Sequence, residues 1–268
     1  MIFDHQAILA IQRALKDGVS TITISADLGL SEIDIDLDQL GVTLEQIKPI
    51  LKKERNLFKY SNDQFEKLAL FENGFYQLVA TGEAPTIEID GIQMHRTKEI
   101  KPFEDSRQKA GTVIQNGDIV LDCCGGLGYT AIWSVRLGAS QVYTSEPNPC
   151  VRCLREQNPW SQELFGDKIF RQDATAQDFI AVCEDRMFDS IIHDPPRFSL
   201  AGELYSQDFY NSLARVLKPK GRLFHYTGNP YSKGRGRNFI EGVIKRLAQA
   251  GFKVTRRDDV LGVTGVLR

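Results

Sequence analysis

The sequence predicts an α/β protein built on a doubly wound, mostly parallel sheet of seven strands, preceded by a small α+β domain. From about Gly117 onward, short runs rich in β-branched and aromatic residues alternate with helical patterns, as in successive βαβ units. The last two candidate strands follow each other without a helix, which predicts an antiparallel final strand. Most candidate strands also end in polar residues, which is typical of a parallel sheet that binds a ligand at its carboxyl edge.

The bulk composition is that of an ordinary globular protein. The chain has 268 residues, of which 42% are hydrophobic and 25% charged, with a formal net charge of −2. That charge argues against a surface devoted to nucleic acid. The N-terminal residues show no apolar run of membrane-spanning length, so we expect a cytoplasmic protein without a membrane partner. Five cysteines, an odd number without zinc-type spacing, predict neither disulfides nor a metal site.

The hydrophobic pattern places the elements in order and divides the chain into three parts. In the first part we expect a helix over 4–16, a β pair over 21–25 and 33–37, and a helix over 44–53. The candidate strands of the sheet are 119–123, 141–145, 168–171, 189–193, 222–226, 253–256 and 260–267. The main helices between them are 129–137, 149–157, 206–217 and 238–250. The predicted organisation is an α+β appendage over 1–80, a connecting segment over 81–104 and a catalytic domain over 105–268.

Ionisable side chains stand at the carboxyl ends of five predicted strands. In chain order they are Asp122, Glu146, Asp173, His193 with Asp194, and His225 followed by Tyr226. Stability alone gives a sheet no reason to collect such groups at one edge, whereas a nucleoside ligand needs them. We therefore predict a binding site at this edge.

A glycine-rich turn follows the first strand of the sheet. The run from Cys124 to Gly128 reads CGGLG and joins a strand to a helix, where glycines allow a ligand to approach the backbone. Glu146 lies about 20 residues beyond, at the position from which a carboxylate binds ribose hydroxyls in dinucleotide folds. The turn lacks the G-x-G-x-x-G order, and Asp122 before it would repel a pyrophosphate. A cationic cofactor without phosphates fits better.

The segments LDCCGGLG, TSEPNP, RQDA and HDPPRF resemble the successive motifs of class I S-adenosylmethionine-dependent methyltransferases, from about Asp105 to the C-terminus. The resemblance implies a Rossmann-like fold and S-adenosylmethionine as cofactor. It further implies that Glu146 binds the ribose and Asp173 the adenine amino group. The residues that it places around the amino acid part of the cofactor are Asp122, Cys124, Gly126 and Gly128. Cys124 departs from the family pattern, which has glycine there.

The segment HDPPRFSLAGELYSQDFY and the later FHYTGNP most resemble a group of predicted archaeal-type methyltransferases. In related enzymes an (Asn/Asp)-Pro-Pro-aromatic motif holds an amine nitrogen for methyl transfer, which implies catalytic roles for Asp194, Pro195, Arg197 and His193. Arg197 occupies the aromatic position. The DPPR spelling also resembles 5-methyluridine RNA methyltransferases, but their nucleophilic cysteine has no counterpart near Gly228.

A second resemblance is to spermidine synthases, which transfer an aminopropyl group from decarboxylated S-adenosylmethionine to a polyamine. It rests on the segments IDGIQ at 89–93, IHDP at 192–195 and GELY at 202–205. The residues that could bind a polyamine are Asp194, Glu203, Tyr205 and Asp208. The doubled aspartate of that family is absent, and Arg197 would repel a polyamine. A binding module without catalysis is the third reading, but such a module would not need Asp194.

Several further residues have roles that the sequence leaves open. His193 and His225 act as bases or line the acceptor pocket, or are simply hydrogen-bonded to neighbouring loops. Arg96 or Lys109 pairs with the cofactor carboxylate. The basic run with Lys233, Arg235 and Arg237 binds nucleic acid phosphates or forms a solvated loop. The sequence leaves the acceptor open among a small amine, RNA and protein, and a homodimer is one option for the assembly.

Overall fold

The computed structural model describes residues 1–228 and 235–268. The chain divides into two compact units, and each is described by itself. The first unit contains Met1–Pro102 and Cys150–Gln162, and the second contains Phe103–Pro149 and Glu163–Arg268.

The first unit combines small antiparallel sheets with short helices. Its strands are β1 (Ile2–Phe3), β2 (Thr21–Ile24), β3 (Ile33–Asp36), β4 (Phe58–Ser61), β5 (Gln64–Lys67), β6 (Ala69–Phe71), β7 (Phe75–Val79), β8 (Thr86–Ile89) and β9 (Ile92–Gln93). Its helices in this part of the chain are α1 (His5–Asp17), α2 (Leu37–Leu40) and α3 (Leu44–Ile47). The sheets have the orders β1-β4-β5, β2-β3 and β6-β7-β8-β9.

Local sequence explains where the first helices begin and end. The Asp4 side chain accepts a hydrogen bond from the Ala7 amide and begins α1, and Gly18 ends it in the left-handed conformation. The predicted β pair is present as β2 and β3, which are antiparallel. The predicted helix over 44–53 is wrong in its length, because α3 ends at Ile47. Pro49 lacks an amide hydrogen and disfavours helical backbone at Lys48, so the helix cannot continue.

The second unit alternates strands and helices. Its strands are β10 (Ile119–Asp122), β11 (Gln141–Ser145), β12 (Ile169–Gln172), β13 (Phe188–His193), β14 (Leu217–Tyr226), β15 (Phe252–Arg257) and β16 (Gly262–Leu267). The remaining helices of the chain are α4 (Pro102–Gly111), α5 (Tyr129–Arg136), α6 (Pro149–Glu156), α7 (Ala176–Val182), α8 (Gln207–Val216) and α9 (Arg235–Gln249). Short 3-10 helices cover Pro159–Phe165, Gly202–Tyr205 and Asp258–Val260.

The sheet of the second unit has seven strands in the order β12-β11-β10-β13-β14-β16-β15. The first five are parallel to one another, and β16 pairs antiparallel with both β14 and β15. The predicted fold class is confirmed, including its antiparallel last strand. The chain proceeds from β10 in one direction to β12 and returns to the other side of β10 as β13. The strand order therefore reverses between β10 and β13, which is where ligands bind in such sheets.

Apolar side chains cover both faces of this sheet. On one face Leu121, Ile191 and Leu223 belong to a core cluster that includes residues of α8 and α9. On the other face Ile192 and Phe224 belong to a cluster with Ala110 and Val113. Because neighbouring residues of a strand point to opposite faces, the central strands place apolar side chains on both sides of the sheet. Within residues 1–228 and 235–268, no helix is both long and apolar enough to cross a membrane.

Candidate functional site

The carboxyl ends of the parallel strands bring the predicted polar residues to one edge of the second unit. Asp122 ends β10, Glu146 and Asp173 follow β11 and β12 by one residue, and His193 ends β13. His193 and His225 are register partners on β13 and β14. The edge therefore collects carboxylates on one side of the switch point and histidines with Asp194 on the other.

Asp122 is completely buried and holds neighbouring elements together. Its Oδ1 atom accepts a hydrogen bond from the Thr130 hydroxyl at 3.0 Å, and its Oδ2 atom accepts one from the Thr144 hydroxyl at 2.7 Å. Thr130 lies on α5 and Thr144 on β11, so the carboxylate links three elements. The structure thus gives Asp122 a role within the fold, while its contact with a cofactor stays a prediction.

The three glycines of the turn lack a side chain for different physical reasons. A Cβ atom on Gly125 would lie 2.2 Å from the Thr144 hydroxyl, and one on Gly128 would lie 2.6 Å from Leu164 Cδ1. Both glycines therefore serve close packing inside the protein. Gly126 has a φ of +50°, and a Cβ there would meet no atom within 4 Å. Of the three, Gly126 is the one that borders open space.

Glu146 is the partly exposed carboxylate beside that open space. Its Oε2 atom accepts a hydrogen bond from the Gly126 amide at 3.1 Å, and its Oε1 atom accepts one from the Asn148 amide at 2.9 Å. A carboxylate oxygen has two lone pairs and can accept more than one hydrogen bond. Asp173, predicted to contact adenine, has an exposed side chain beyond β12.

Cys124, in the first glycine position of the turn, is half-buried. Burial raises the pKa of its thiol, and the neighbouring acidic groups Glu146, Asp122 and Asp194 raise it further. The thiol is therefore neutral at physiological pH. It fills space in the turn without the reactivity of a thiolate.

Asp194 follows β13 and contacts a buried lysine. The Lys109 Nζ atom lies 2.7 Å from Asp194 Oδ2 and 2.8 Å from Asp105 Oδ2. The side chains of Lys109 and Asp105 are 3% and 1% exposed, whereas that of Asp194 is 20% exposed. Asp194 is therefore the member of this group that reaches the surface. Lys109, proposed from sequence as a partner of the cofactor carboxylate, is enclosed between two carboxylates of the protein.

His193 and His225 are both completely buried, with ring centroids 4.4 Å apart. His193 Nε2 donates a hydrogen bond to the Leu204 carbonyl at 3.0 Å, and His225 Nε2 is hydrogen-bonded to the Tyr210 hydroxyl at 2.8 Å. Burial lowers the pKa of His193 to about 4, and it also lowers that of His225. Both imidazoles are therefore neutral at pH 7. The pair lies under the edge of the sheet and does not reach its surface.

The segment after Asp194 divides into buried and exposed residues. Pro195 is buried, and the Tyr205 hydroxyl donates a hydrogen bond to the Pro196 carbonyl at 2.8 Å. Tyr205 is 3% exposed, and burial raises its pKa. Arg197 and Glu203 have exposed side chains. The structure therefore brings Tyr205 to the Asp194 motif and directs Arg197 and Glu203 towards solvent.

A groove of about 380 Å³ borders Tyr205. The residues that line it are Phe198, Gly202, Tyr205, Ser206, Phe239, Gly242 and Arg246. The rings of Phe198, Tyr205 and Phe239 lie 5.5 to 5.7 Å from one another and form its aromatic walls. Sequence reasoning missed this groove, because its walls come from segments without a shared motif.

The remaining predicted residues fall outside this arrangement. Lys233 lies outside the described residues, and so do the side chains of Arg235 and Arg237 at the start of α9. Among the residues that the structure describes, no group of three or more His, Cys, Asp or Glu side chains could hold a metal ion. The contact between Asp105 and Lys109 was not predicted from the sequence. Their four-residue spacing on a helix was the available signal that the two side chains could pair.

Comparison with known proteins finds a relative with half of its aligned residues identical, and more distant relatives. No model of a known protein family matches the chain. The uncharacterized protein MJ1233 of Methanocaldococcus jannaschii is 50% identical over 229 residues, which are 84% of this chain and 78% of that protein. Polyamine aminopropyltransferase 2 of Aquifex aeolicus is 24% identical over 201 residues, which are 73% of this chain. The match spans only 39% of the length of that enzyme.

Solved structures with the same fold include spermidine synthases. One, in complex with the transition state analogue AdoDATO, has a TM-score of 0.60 and 16% identity, and the match covers 78% of each chain. Another, from Thermotoga maritima, has a TM-score of 0.57 with the same identity and coverage. At these identities the likeness shows a shared fold with a mostly parallel seven-stranded sheet.

Proposed function

Since the chain belongs to the same family as the uncharacterized protein MJ1233 of Methanocaldococcus jannaschii, which leaves its chemistry open, we propose a function from the site itself. We propose that the protein is an S-adenosylmethionine-dependent methyltransferase that acts on a nitrogen acceptor at the Asp194 motif. The adenosyl part of the cofactor binds at the ends of β10, β11 and β12, and the acceptor binds at the end of β13.

The observation that carries this proposal is the arrangement of Glu146 and Gly126. The Glu146 carboxylate is held by two backbone amides, and it lies beside a glycine that borders open space. A ribose presents two neighbouring hydroxyls, each of which can donate to one oxygen of such a carboxylate. The absence of a side chain on Gly126 leaves room for the ligand against the backbone.

When bound, S-adenosylmethionine would supply an electrophilic methyl group on a cationic sulfur. The residues of this chain contribute position and charge. Glu146 and the buried Asp122 make the cofactor side of the edge acidic, which favours a cation over a phosphate-bearing cofactor. Asp194 Oδ1, the oxygen that Lys109 does not contact, is available to orient an acceptor N–H group.

A second candidate function is aminopropyl transfer from decarboxylated S-adenosylmethionine to a polyamine. The fold similarity to spermidine synthases supports it, together with the distant relationship to the aminopropyltransferase of Aquifex aeolicus. The two candidates share the adenosyl site. They differ in whether the cofactor keeps its carboxylate and in the charge of the acceptor.

Calorimetric titration with three compounds tests the proposal. S-adenosylmethionine and S-adenosylhomocysteine should bind, and S-adenosylmethionine should bind at least about ten times more tightly than its decarboxylated form. Preference for the decarboxylated form would favour the second candidate. If none of the three compounds binds, the proposed function is wrong.

Label transfer identifies the acceptor class. The protein is incubated with methyl-labelled S-adenosylmethionine and with separate small-molecule, RNA and protein fractions of a cell extract. We expect label in one fraction with the wild-type protein and a loss of about 100-fold or more with Asp194→Asn. Asp194→Asn should still bind S-adenosylhomocysteine within about threefold of wild type, because Asp194 lies on the acceptor side. Equal labelling by the two proteins would contradict the role of Asp194.

A further inference from the structure

Lys109 is a buried cation whose position opposite Asp194 is not accounted for by cofactor binding. It lies on α4, one helical turn after Asp105, and is 85 residues from Asp194 in the chain. Its side chain is 3% exposed. A buried lysine destabilises the folded protein unless it is paired, and its two close carboxylate contacts supply that pairing.

The ammonium group has partners on three elements. Its Nζ atom lies 2.8 Å from Asp105 Oδ2 on its own helix and 2.7 Å from Asp194 Oδ2 after β13. The ring of Tyr226, at the end of β14, has its centroid 4.1 Å from Nζ. Two carboxylates and an aromatic face thus surround one positive charge.

The lysine is charged under physiological conditions. Burial opposes the charge, but Asp194 and Asp105 outweigh burial and raise the pKa of Lys109 above its usual value. Burial raises the pKa of Asp194, and Lys109 counteracts that shift. Tyr205 and Cys124, the other titratable neighbours of Asp194, are neutral because burial raises the pKa of each. The fixed positive charge in this group is therefore that of Lys109.

We propose that Lys109 is a positioning and specificity-determining residue that partly compensates the charge of Asp194 and so favours an acceptor nitrogen without a positive charge. This inference rests on the proposed function. A polyamine presents ammonium groups, and an ammonium at Asp194 would meet the positive charge that already lies 2.7 Å from its carboxylate. A neutral nitrogen with an N–H bond can instead donate to Asp194 Oδ1 without that repulsion.

Methyl transfer to such an acceptor conserves atoms and charge. The nitrogen lone pair forms a bond to the methyl carbon while the carbon–sulfur bond breaks, and the sulfur keeps the electron pair as a neutral thioether. The nitrogen becomes cationic and releases its proton to Asp194 or to water. Lys109 remains protonated throughout, because Asp194 and Asp105 raise its pKa. It holds Asp194 in place and does not exchange a proton with the acceptor.

The test uses the charge of the cofactor as a probe, so it does not depend on knowing the acceptor. S-adenosylmethionine carries a sulfonium charge and S-adenosylhomocysteine does not, and the ratio of their affinities reports the local potential. In Lys109→Met the positive charge opposite Asp194 is lost, so the potential beside the motif becomes more negative. We expect the affinity ratio to shift about tenfold in favour of S-adenosylmethionine.

Two further variants separate charge from structure. Lys109→Arg keeps the charge and should leave the affinity ratio close to that of wild type. Asp105→Asn removes one of the two carboxylates and leaves Asp194 as the negatively charged partner of Lys109. The affinity ratio should then shift several-fold towards S-adenosylhomocysteine. This opposite sign keeps the inference testable even if Lys109→Met does not fold. Lys218→Met is the matched control, since it removes a lysine that contacts Asp189 at 2.8 Å elsewhere in the second unit.

Spermidine serves as a direct probe of cationic acceptors. Titrated into the complex with S-adenosylhomocysteine, it should bind Lys109→Met at least about ten times more tightly than wild type or Lys218→Met. Equal spermidine affinities, or unchanged cofactor ratios in both Lys109→Met and Asp105→Asn, would overturn the role of Lys109 while leaving the methyltransferase proposal intact. If wild type binds neither adenosyl compound, the proposed function fails and this inference fails with it.

Discussion

The carboxylates on the two sides of the switch point have different partners. We call the ends of β10, β11 and β12 the cofactor half of the edge and the ends of β13 and β14 the acceptor half. In the cofactor half, hydroxyls and backbone amides donate hydrogen bonds to the carboxylates of Asp122 and Glu146. In the acceptor half, a buried ammonium compensates Asp194 and the histidines are neutral. The charge next to Asp194 is therefore set from within the protein.

The largest effect that we expect comes from removing the internal cation of the acceptor half. Lys109→Met leaves Asp105 and Asp194 without their partner and should lower the free energy of unfolding by about 3–5 kcal/mol. Urea denaturation measures the change. Lys218→Met removes a partly exposed pair and should cost less than about 1 kcal/mol. Similar losses in the two variants would remove the distinction between a built-in charge pair and a surface pair.

The neutral histidines of the acceptor half should make the protein sensitive to acid. The pKa of His193 is about 4 in the folded protein, below the value of about 6.5 in an unfolded chain. Between these values the unfolded chain binds more protons, so the free energy of unfolding falls as the pH decreases from about 6.5 to 4. The expected loss from His193 is about 3 kcal/mol.

Urea denaturation at several pH values checks the assignment to His193. In His193→Gln the acid-dependent loss should be smaller by that amount, because glutamine does not titrate and its amide can still donate to the Leu204 carbonyl. His5→Gln, on α1 of the first unit, is the control and should retain the pH dependence of wild type. A pH dependence that is the same in all three proteins would show that His193 is not buried in its neutral form.

The cofactor half should respond in affinity more than in stability. Glu146→Gln removes the charge and one acceptor oxygen, and we expect it to weaken S-adenosylhomocysteine binding about 10- to 100-fold in calorimetry. Glu163→Gln, which disrupts an ion pair with Arg136 elsewhere in the second unit, should bind as wild type does. Unchanged affinity in Glu146→Gln would place the ribose elsewhere.

The smallest effect concerns Asp122, the carboxylate with a role inside the fold. Thr144→Val removes the hydroxyl that lies 2.7 Å from Asp122 Oδ2 and should lower the free energy of unfolding by about 1–2 kcal/mol. Affinity for S-adenosylhomocysteine should stay within about twofold of wild type. A large loss of affinity with unchanged stability would instead mean that Asp122 meets the ligand directly.

The sequence predicted the sheet well because its signals are local. Strands β10 and β13 contain short apolar runs, and the positions of Asp122 and His193 at the strand ends follow from that pattern. Asp122 and Glu146 could be placed at one edge because parallel strands share their carboxyl ends. The length of α3 was predicted wrongly because the pattern was extended across Pro49, whose effect on the backbone is itself local.

The chemistry of the acceptor half could not be predicted in the same way. Lys109 and Asp194 are 85 residues apart, and only the fold brings their charges to 2.7 Å. The burial of His193 and His225 depends on Leu204 and Tyr210, which come from the segment between the two histidines. Polar residues at strand ends indicated where a site lies, but which of them reach solvent is decided by side-chain packing around them.

The most direct test of the adenosyl site is a crystal structure of the protein with S-adenosylhomocysteine. We expect the ribose hydroxyls to lie within hydrogen-bonding distance of both Glu146 oxygens. The ligand should lie against the backbone of Gly126, with its sulfur directed towards Asp194. A ligand bound elsewhere on the protein, or a Glu146 side chain turned away from the ribose, would contradict the assignment of this edge as the cofactor site.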